Sequence, residues 1–312
     1  MKKIIGSLGL ISLLFSTPAL AIDDYFQNNI DYILNDYIKE NLGIYTIPVP
    51  KEPSHLKANL RRFSLDISST QVSNAKEYQD SSNSQLAADS ETVTKWVLDF
   101  ILEYSMPNGQ WNNSIFAEYG KTRQKDPYGE KSTNENADKI LLTTDYARKM
   151  WRYKEADVGP FVNLGYQTEF SADDDSPLTK IIRGKTGLKL FNGVYIKDLY
   201  LAGIVEEDLT YSETNTKYGY EIGTRIEYPL RDGVKFQIDS YFRDYVHYSH
   251  YQGSDFLYEF NTVSRMEVEI ANGFTVAPFM SFLQAQSREA ENKGSNFMVG
   301  VSIGFSNIYD IF

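Results

Sequence analysis

The stretch Tyr218–Tyr228 constrains the fold more than any other part of the sequence. Over these eleven residues, every even position is aromatic, β-branched or threonine, and every odd position is glycine or charged. A period of two places these two sets on opposite faces of one strand. The apolar face begins and ends in tyrosine, and the polar face carries Glu221, Arg225 and Glu227, too many charges for a dry core. The pattern predicts a membrane-spanning strand with one face toward lipid and the other toward a wet lumen.

The N-terminus has the features of a secretory signal. Residues 1–21 contain two lysines, a short apolar run and the small-residue site Ala19-Leu20-Ala21, which predicts cleavage after Ala21. Elsewhere the sequence has no apolar run near the roughly 20 residues that a spanning helix requires. Membrane insertion must therefore use strands, which have to close into a barrel to satisfy their backbone groups.

Composition narrows the classes of function. The chain has no cysteine, so its stability must come from its sheet and not from disulfides. Removing the two lysines of the signal changes the net charge from −11 to about −13, which argues against nucleic-acid binding. With three histidines and no Gly-rich phosphate loop, the sequence predicts no metal site and no cofactor. The run Asp173–Asp175 is interpreted as a solvated loop, with weak Ca²⁺ binding as the alternative.

The sequence predicts three segments. These are the signal, residues 1–21; an amphipathic helix with a Pro-rich linker, residues 22–55; and one antiparallel up-and-down barrel, residues 56–312. In the helix, Ile22–Leu42, apolar residues recur at helical spacing. This helix could plug the barrel, pack at its periplasmic mouth, lie on the membrane surface or bind a partner.

The strand count follows from the connections. From Thr92 onward, eleven alternating segments are joined by short turns and longer polar loops in turn, which is typical of short periplasmic and long extracellular connections. This parity requires an earlier strand, for which Arg61–Ser68 is the candidate, so the all-β barrel is predicted to have about twelve strands. Polar loops are expected over Thr70–Glu91 and Thr122–Ala137, and the last strand is expected to be Phe297–Phe305.

The C-terminus resembles the closing strand of bacterial outer-membrane proteins. The resemblance rests on the alternating segment Phe297–Phe305 and the terminal Phe312. In that class a final aromatic helps the barrel-assembly machinery recognise its client, so the resemblance implies that Phe312 is an assembly signal. It also implies location in the outer membrane of a Gram-negative bacterium, with outer-membrane lipid, periplasmic chaperones and the assembly machinery as partners. The layout is similar to an autotransporter translocator domain without a passenger, and to small monomeric porins of twelve strands.

Strand parity predicts which charged side chains line the lumen. The predicted set is Glu103, Glu118, Glu169, Arg183, Lys185, Glu221, Arg225, Glu227, Lys235, Asp239, Arg243, Glu259, Arg265, Glu267 and Glu269. Opposed charges on facing strands fit either a polar channel or a salt-bridged, filled lumen. The first hypothesis is a small pore for ions or small solutes. The second is a non-conducting structural barrel that is plugged by its N-terminal helix.

One set of residues resembles the catalytic residues of outer-membrane phospholipase A. His247 and Ser249 lie two apart and Asn261 follows on the next predicted strand, so the resemblance implies base, nucleophile and orienting residue, respectively. Parity places all three toward the lumen, whereas hydrolysis of membrane lipid requires them on the outside. The chain is therefore expected not to be an enzyme, and a surface lipid hydrolase is the third hypothesis.

Overall fold

The computed structural model describes residues 44–46, 53–78, 83–87, 92–125, 131–171, 177–250 and 255–312. The chain divides into two units, Met1–Thr46 and Ile47–Phe312. In the first unit only the three-residue strand Ile44–Thr46 is described. The predicted signal, its cleavage site and the predicted helix Ile22–Leu42 all lie outside the described residues.

The second unit consists almost entirely of long strands. The twelve strands are β1 His55–Ser73, β2 Thr92–Met106, β3 Gly109–Lys125, β4 Lys131–Arg148, β5 Ala156–Thr168, β6 Ile181–Phe191, β7 Ile196–Asp208, β8 Asn215–Arg231, β9 Val234–Tyr248, β10 Phe256–Ala271, β11 Phe274–Ser287 and β12 Gly294–Asp310. A short strand, Trp151–Tyr153, forms a small hairpin with the start of β5. Two helices of four residues each, Ala75–Tyr78 and Ser84–Ala87, follow β1.

These strands form a closed antiparallel barrel. Each strand pairs with its neighbours in the chain, and β12 pairs with β1 from Ser295↔Ser73 to Asp310↔Lys57. The prediction of a closed twelve-stranded up-and-down barrel is confirmed. Closure matters because every backbone N–H and C=O of a spanning strand then finds a partner within the sheet.

The two ends of the barrel differ in their connections. At one end, called the turn end, β8 and β9 are joined through Asp232 and Gly233, and β10 and β11 through Asn272 and Gly273. Gly233 and Gly273 have φ of 71° and 85°, in the left-handed region that glycine adopts without strain. The opposite end, called the loop end, carries the β1–β2, β5–β6 and β9–β10 connections, which are longer.

The structure corrects several predicted boundaries. β1 spans 19 residues, His55–Ser73, and not eight, and the predicted loop Thr70–Glu91 contains the end of β1 and two short helices. The predicted polar loop Thr122–Ala137 is largely strand, because β3 and β4 pair beyond their apolar segments as far as Lys125↔Lys131. Backbone pairing in a hairpin does not require an apolar face, so alternation underestimates the length of strands that extend into water.

The last strand also continues beyond its predicted end at Phe305. A bulge between Phe305 and Asn307 interrupts the register, and pairing then resumes from Asn307↔Leu60 to Asp310↔Lys57. The bulge breaks the alternation of side chains but not the strand. As a result the chain ends two residues after β12, and the Phe312 carbonyl accepts a hydrogen bond from the Leu56 N–H at 3.0 Å.

The outer surface of the barrel is apolar. Ile222, Val301 and Ile303 are 46%, 45% and 58% exposed, an arrangement that water would penalise and lipid would not. Aromatic pairs lie near both ends of this surface, with Tyr195 stacked on Tyr228 at the turn end and Tyr218 beside His247 at the loop end. The described residues include no helix long and apolar enough to cross a bilayer.

Candidate functional site: a charged lumen

The barrel encloses one large polar cavity of about 2300 Å³. It is bordered by residues from both ends, such as Ser171 and Tyr211 at the loop end and Asn272 and Asn307 at the turn end. Among the described residues that line it are seventeen Asp and Glu and thirteen Lys and Arg. The lumen is therefore densely charged, with a small acidic excess.

The structure places every member of the predicted lumen set on the wall of this cavity. These residues are Glu103, Glu118, Glu169, Arg183, Lys185, Glu221, Arg225, Glu227, Lys235, Asp239, Arg243, Glu259, Arg265, Glu267 and Glu269. They lie inside because the period of two carries through β2–β10 and turns one face of each strand inward. Their roles in transport stay predictions.

A first charge cluster is centred on Glu221 of β8. The Glu221 carboxylate accepts hydrogen bonds from Arg243 Nε at 2.6 Å, from Lys185 and from the Tyr200 hydroxyl. Arg243 also lies 3.5 Å from the carboxylate of Glu259. Glu221 is 1% exposed, so its charge is stabilised by these partners and not by water. The cluster joins strands β6 to β10 along one wall.

A second cluster lies nearer the loop end on the same wall. Glu206 of β7 is paired with Arg183, accepts from the Tyr245 hydroxyl at 2.9 Å, and lies 3.5 Å from Lys217 Nζ. Lys217 is also 2.7 Å from Asp255, the residue before β10. Base and acid side chains thus alternate across the three neighbouring strands β6, β7 and β8 and cross-link them through the lumen, which stiffens this wall.

A third group of charges spans the lumen. Arg225 of β8 donates from Nε to Asp239 at 2.7 Å, and its Nη2 lies 3.8 Å from Asp99 of β2. Asp99 is also 4.0 Å from Arg61 Nη1 on β1. In a ring of twelve strands, β2 and β8 are six apart and face each other. These four residues, named the cross-lumen cluster, therefore connect opposite walls and narrow the cavity.

Sequence reasoning missed part of this site. Asp99 and Arg61 of the cross-lumen cluster, together with Glu206 and Lys217, were not in the predicted lumen set. The alternation of β2 could have identified Asp99, because it lies on the same face of the strand as Glu103. Arg61 lies next to a register shift between Leu60 and Arg62, where strict alternation fails, so parity could not place it.

The structure does not bring the three phospholipase-like residues together. His247 lies opposite the outward-facing Tyr218, which corrects the prediction that it faces the lumen, whereas Asn261 borders the cavity. A bulge in β9 causes the change, because Gly219 pairs with Tyr245 while Tyr218 pairs with His247. Ser249 Oγ accepts from the Thr216 N–H at 2.8 Å and lies 3.4 Å from His250 Nδ1. The base, nucleophile and orienting groups required by the resemblance are not assembled.

No group of three or more metal-ligating side chains occurs in the part of the chain that the structure describes. The aspartate run Asp173–Asp175 lies outside it.

The fold and the lumen together define a class of protein. A closed antiparallel barrel with an apolar outer surface, aromatic residues near both of its ends and a charged interior is an outer-membrane-type β-barrel. The sequence matches no family model and no curated protein.

Solved structures of similar architecture include three kinds of barrel. An outer-membrane channel from Pseudomonas putida F1 shares 11% identity and a TM-score of 0.45, covering 83% of this chain and 98% of that one. Outer membrane phospholipase A from Escherichia coli shares 11% identity and a TM-score of 0.41, covering 78% and 89%. The translocator domain of the autotransporter NalP from Neisseria meningitidis shares 9% identity and a TM-score of 0.33, covering 89% and 96%. These likenesses concern the barrel architecture, and nothing about activity follows from them.

Proposed function

We propose that the protein is a pore of the bacterial outer membrane for ions or small polar solutes. The observation that carries this proposal is the charged cavity of about 2300 Å³, which is bordered by residues from both ends of the barrel. A lumen that is completely filled by its own side chains, as in barrels of about eight strands, would leave no cavity of this size. The acidic excess on its wall favours cations, although only weakly, because most of the lumenal charges are paired.

A second candidate function is a non-conducting structural barrel. The cross-lumen cluster favours it, because the contact between Arg225 and Asp99 joins opposite walls and obstructs part of the lumen. Both candidates use the same fold and the same location, and they differ in whether solutes pass.

Single-channel recording separates these candidates. The mature chain, residues 22–312, would be refolded and inserted into a planar bilayer, and its conductance and cation-to-anion permeability ratio would be measured. We expect steady openings with weak preference for cations. A silent bilayer, obtained with protein whose folding has been verified, would contradict the pore and favour the structural barrel.

A further inference from the structure

The described parts of the β1–β2 connection, residues 74–78 and 83–87, lie in the mouth of the barrel at the loop end. They contain the helices Ala75–Tyr78 and Ser84–Ala87, and their side chains Tyr78 and Leu86 are 2% and 0% exposed. A loop that only projects into water would not bury such side chains this completely. The inner wall of the barrel covers these side chains.

Leu86 and Tyr78 share one apolar cluster with lumenal residues of the opposite part of the chain. Phe256 of β10 and Leu283 and Ala285 of β11 complete the cluster, and these three side chains are 7%, 1% and 0% exposed. The Tyr78 and Phe256 rings lie 6.4 Å apart. The wall at this position is apolar, unlike the charged wall around Glu221, so it matches the apolar side chains of the folded-in loop.

Polar contacts attach the first helix to the β11–β12 connection. The Tyr78 hydroxyl lies 2.9 Å from the Asn292 carbonyl and 3.1 Å from the Ala285 carbonyl. The Glu77 carboxylate accepts from both the backbone N–H and the side-chain amide of Asn292, at 2.9 and 2.8 Å. Asn74 donates to the Lys293 carbonyl at 2.9 Å. The attachment is therefore two-sided, apolar toward the lumen and polar toward the neighbouring loop.

The second helix reaches the charged interior. Asn83 Nδ2 donates to Glu259 at 3.3 Å, and Glu259 is also a partner of Arg243 in the lumenal cluster. The Gln85 carbonyl accepts from Asn296 of β12 at 2.7 Å. Asn83 and Gln85 both border the cavity, so this segment occupies lumenal space that would otherwise be open.

Gly294, the first residue of β12, provides the room for this arrangement. A Cβ atom at this position would lie 2.8 Å from the Tyr78 ring, closer than real Cβ contacts. The observed position of the Tyr78 ring is thus compatible with β12 because residue 294 has no side chain.

We propose that the described segments Asn74–Tyr78 and Asn83–Ala87, named the mouth segment, form a fixed constriction that sets the size limit for solutes entering the lumen. The size limit rests on the proposed pore function. The inward position of the mouth segment can be tested independently of that function. Loss of the apolar contacts of Tyr78 and Leu86 would release the segment and widen the mouth. The cross-lumen cluster, which involves other strands, would be left in place.

The position of the mouth segment can be tested by labelling. The chain has no cysteine, so Gln85→Cys carries a single thiol, and Glu289→Cys, on the exposed β11–β12 connection, is the matched control. We expect a large polymer-linked maleimide to label Gln85→Cys in liposomes more slowly than Glu289→Cys by about tenfold or more, because Gln85 is half-buried inside the mouth, where local opening is needed to admit so bulky a reagent. Leu86→Ala added to Gln85→Cys is expected to abolish this difference. Equal labelling of the two single variants would overturn the inward position.

The size limit is tested by polymer exclusion in planar bilayers. We expect Tyr78→Ala/Leu86→Ala to conduct more than the unmodified chain and to admit larger polyethylene glycols, while Tyr309→Ala, on the exposed turn end, leaves both quantities unchanged.

If labelling shows a released segment but the exclusion limit does not move, the proposed size limit is wrong. A silent unmodified chain would instead overturn the pore, and the labelling result would decide separately where the segment lies. Gly294→Val provides a second route to release if the double variant does not fold.

Discussion

Glu221 shows how single residues of this barrel tolerate buried charge. It is 1% exposed, and its carboxylate is shared among Arg243, Lys185 and the Tyr200 hydroxyl. A carboxylate removed from water is costly unless cations and donors replace its hydration. Removing it would leave two buried cations without their main counter-charge.

We therefore expect Glu221→Ala to lower the free energy of unfolding by about 3–5 kcal/mol, the usual result of breaking a buried ion pair on one side. Urea unfolding of the refolded barrel measures this change. The control is Asp310→Asn, which breaks the pair with Lys57 at side-chain exposures of 79% and 47%. That exposed pair is expected to contribute about 0–1 kcal/mol. Equal effects of the two variants would contradict the importance of burial.

Glu77 predicts a pH dependence for the mouth segment. Hydrogen bonds from the Asn292 side chain and backbone lower the pKa of the Glu77 carboxyl below its usual 4.5. A lowered folded-state pKa stabilises the attachment above the unfolded-state pKa, and this stabilisation is lost as the pH falls through the lowered value. The Gln85→Cys variant would be exposed briefly to acid pH in the presence of a thiol-trapping reagent. After return to neutral pH, the large maleimide would label the thiols that were not trapped. We expect more trapped opening at acid pH in the unmodified segment, and none of this dependence in Glu77→Gln.

At the scale of the strands, pairing continues where side-chain patterns stop. β8 was recognisable because its alternation is unbroken from Tyr218 to Tyr228, although the strand itself runs from Asn215 to Arg231. β1 and β12 also extend beyond their alternating parts. Bulges shift the side-chain pattern, as between Phe305 and Asn307, but the backbone ladder resumes beyond them. The closure of the barrel depends on these two irregular strands.

The end of β12 predicts a specific effect on assembly. The Phe312 ring lies 6.5 Å from the Tyr104 ring in an edge-on contact and is 65% exposed, so it contributes little to packing. We expect Phe312→Ala to reduce the amount of assembled barrel in bacterial outer membranes, judged by heat-modifiable migration. Refolding of the same variant from urea into detergent is expected to be unchanged, because the backbone hydrogen bond to Leu56 is retained. Normal assembly in cells would contradict the role of Phe312 as a signal.

The whole molecule brings together charges that are far apart in the sequence. Asp99 and Arg225 belong to strands six apart in the ring, and their 3.8 Å contact exists only because the barrel is narrow enough for the side chains to meet. In a pore, such a contact would influence ion selectivity, since charged groups from opposite walls meet in the path of the ions.

Opposite changes in selectivity are expected from the two sides of this contact. Arg225→Ala removes a positive charge and should raise the cation-to-anion permeability ratio, while Asp99→Asn removes a negative charge and should lower it. Both variants should conduct at least as well as the unmodified chain, because both open the contact across the lumen. Reversal potentials in a salt gradient measure the ratio. A shift in the same direction for both variants would show that the cluster does not control selectivity.

By itself, the sequence determined the class of fold, the twelve strands, and the face of most strands that turns inward. These properties are local, because side chains on a strand alternate with a period of two and short turns carry their own residue signals. The lumenal positions of Glu221, Arg225 and Arg243 follow from this alternation alone.

Only the tertiary structure decided which charges meet and where the described parts of the β1–β2 connection lie. The pairing of Arg225 with Asp99 depends on ring closure and on the width of the lumen, and neither quantity is encoded in any single strand. The burial of Tyr78 and Leu86 depends on an apolar part of the wall contributed by β10 and β11, about two hundred residues later in the chain. Bulges are a further feature that only the tertiary structure shows. One extra residue in β9 turns His247 to the outer face, and the local sequence does not indicate this change.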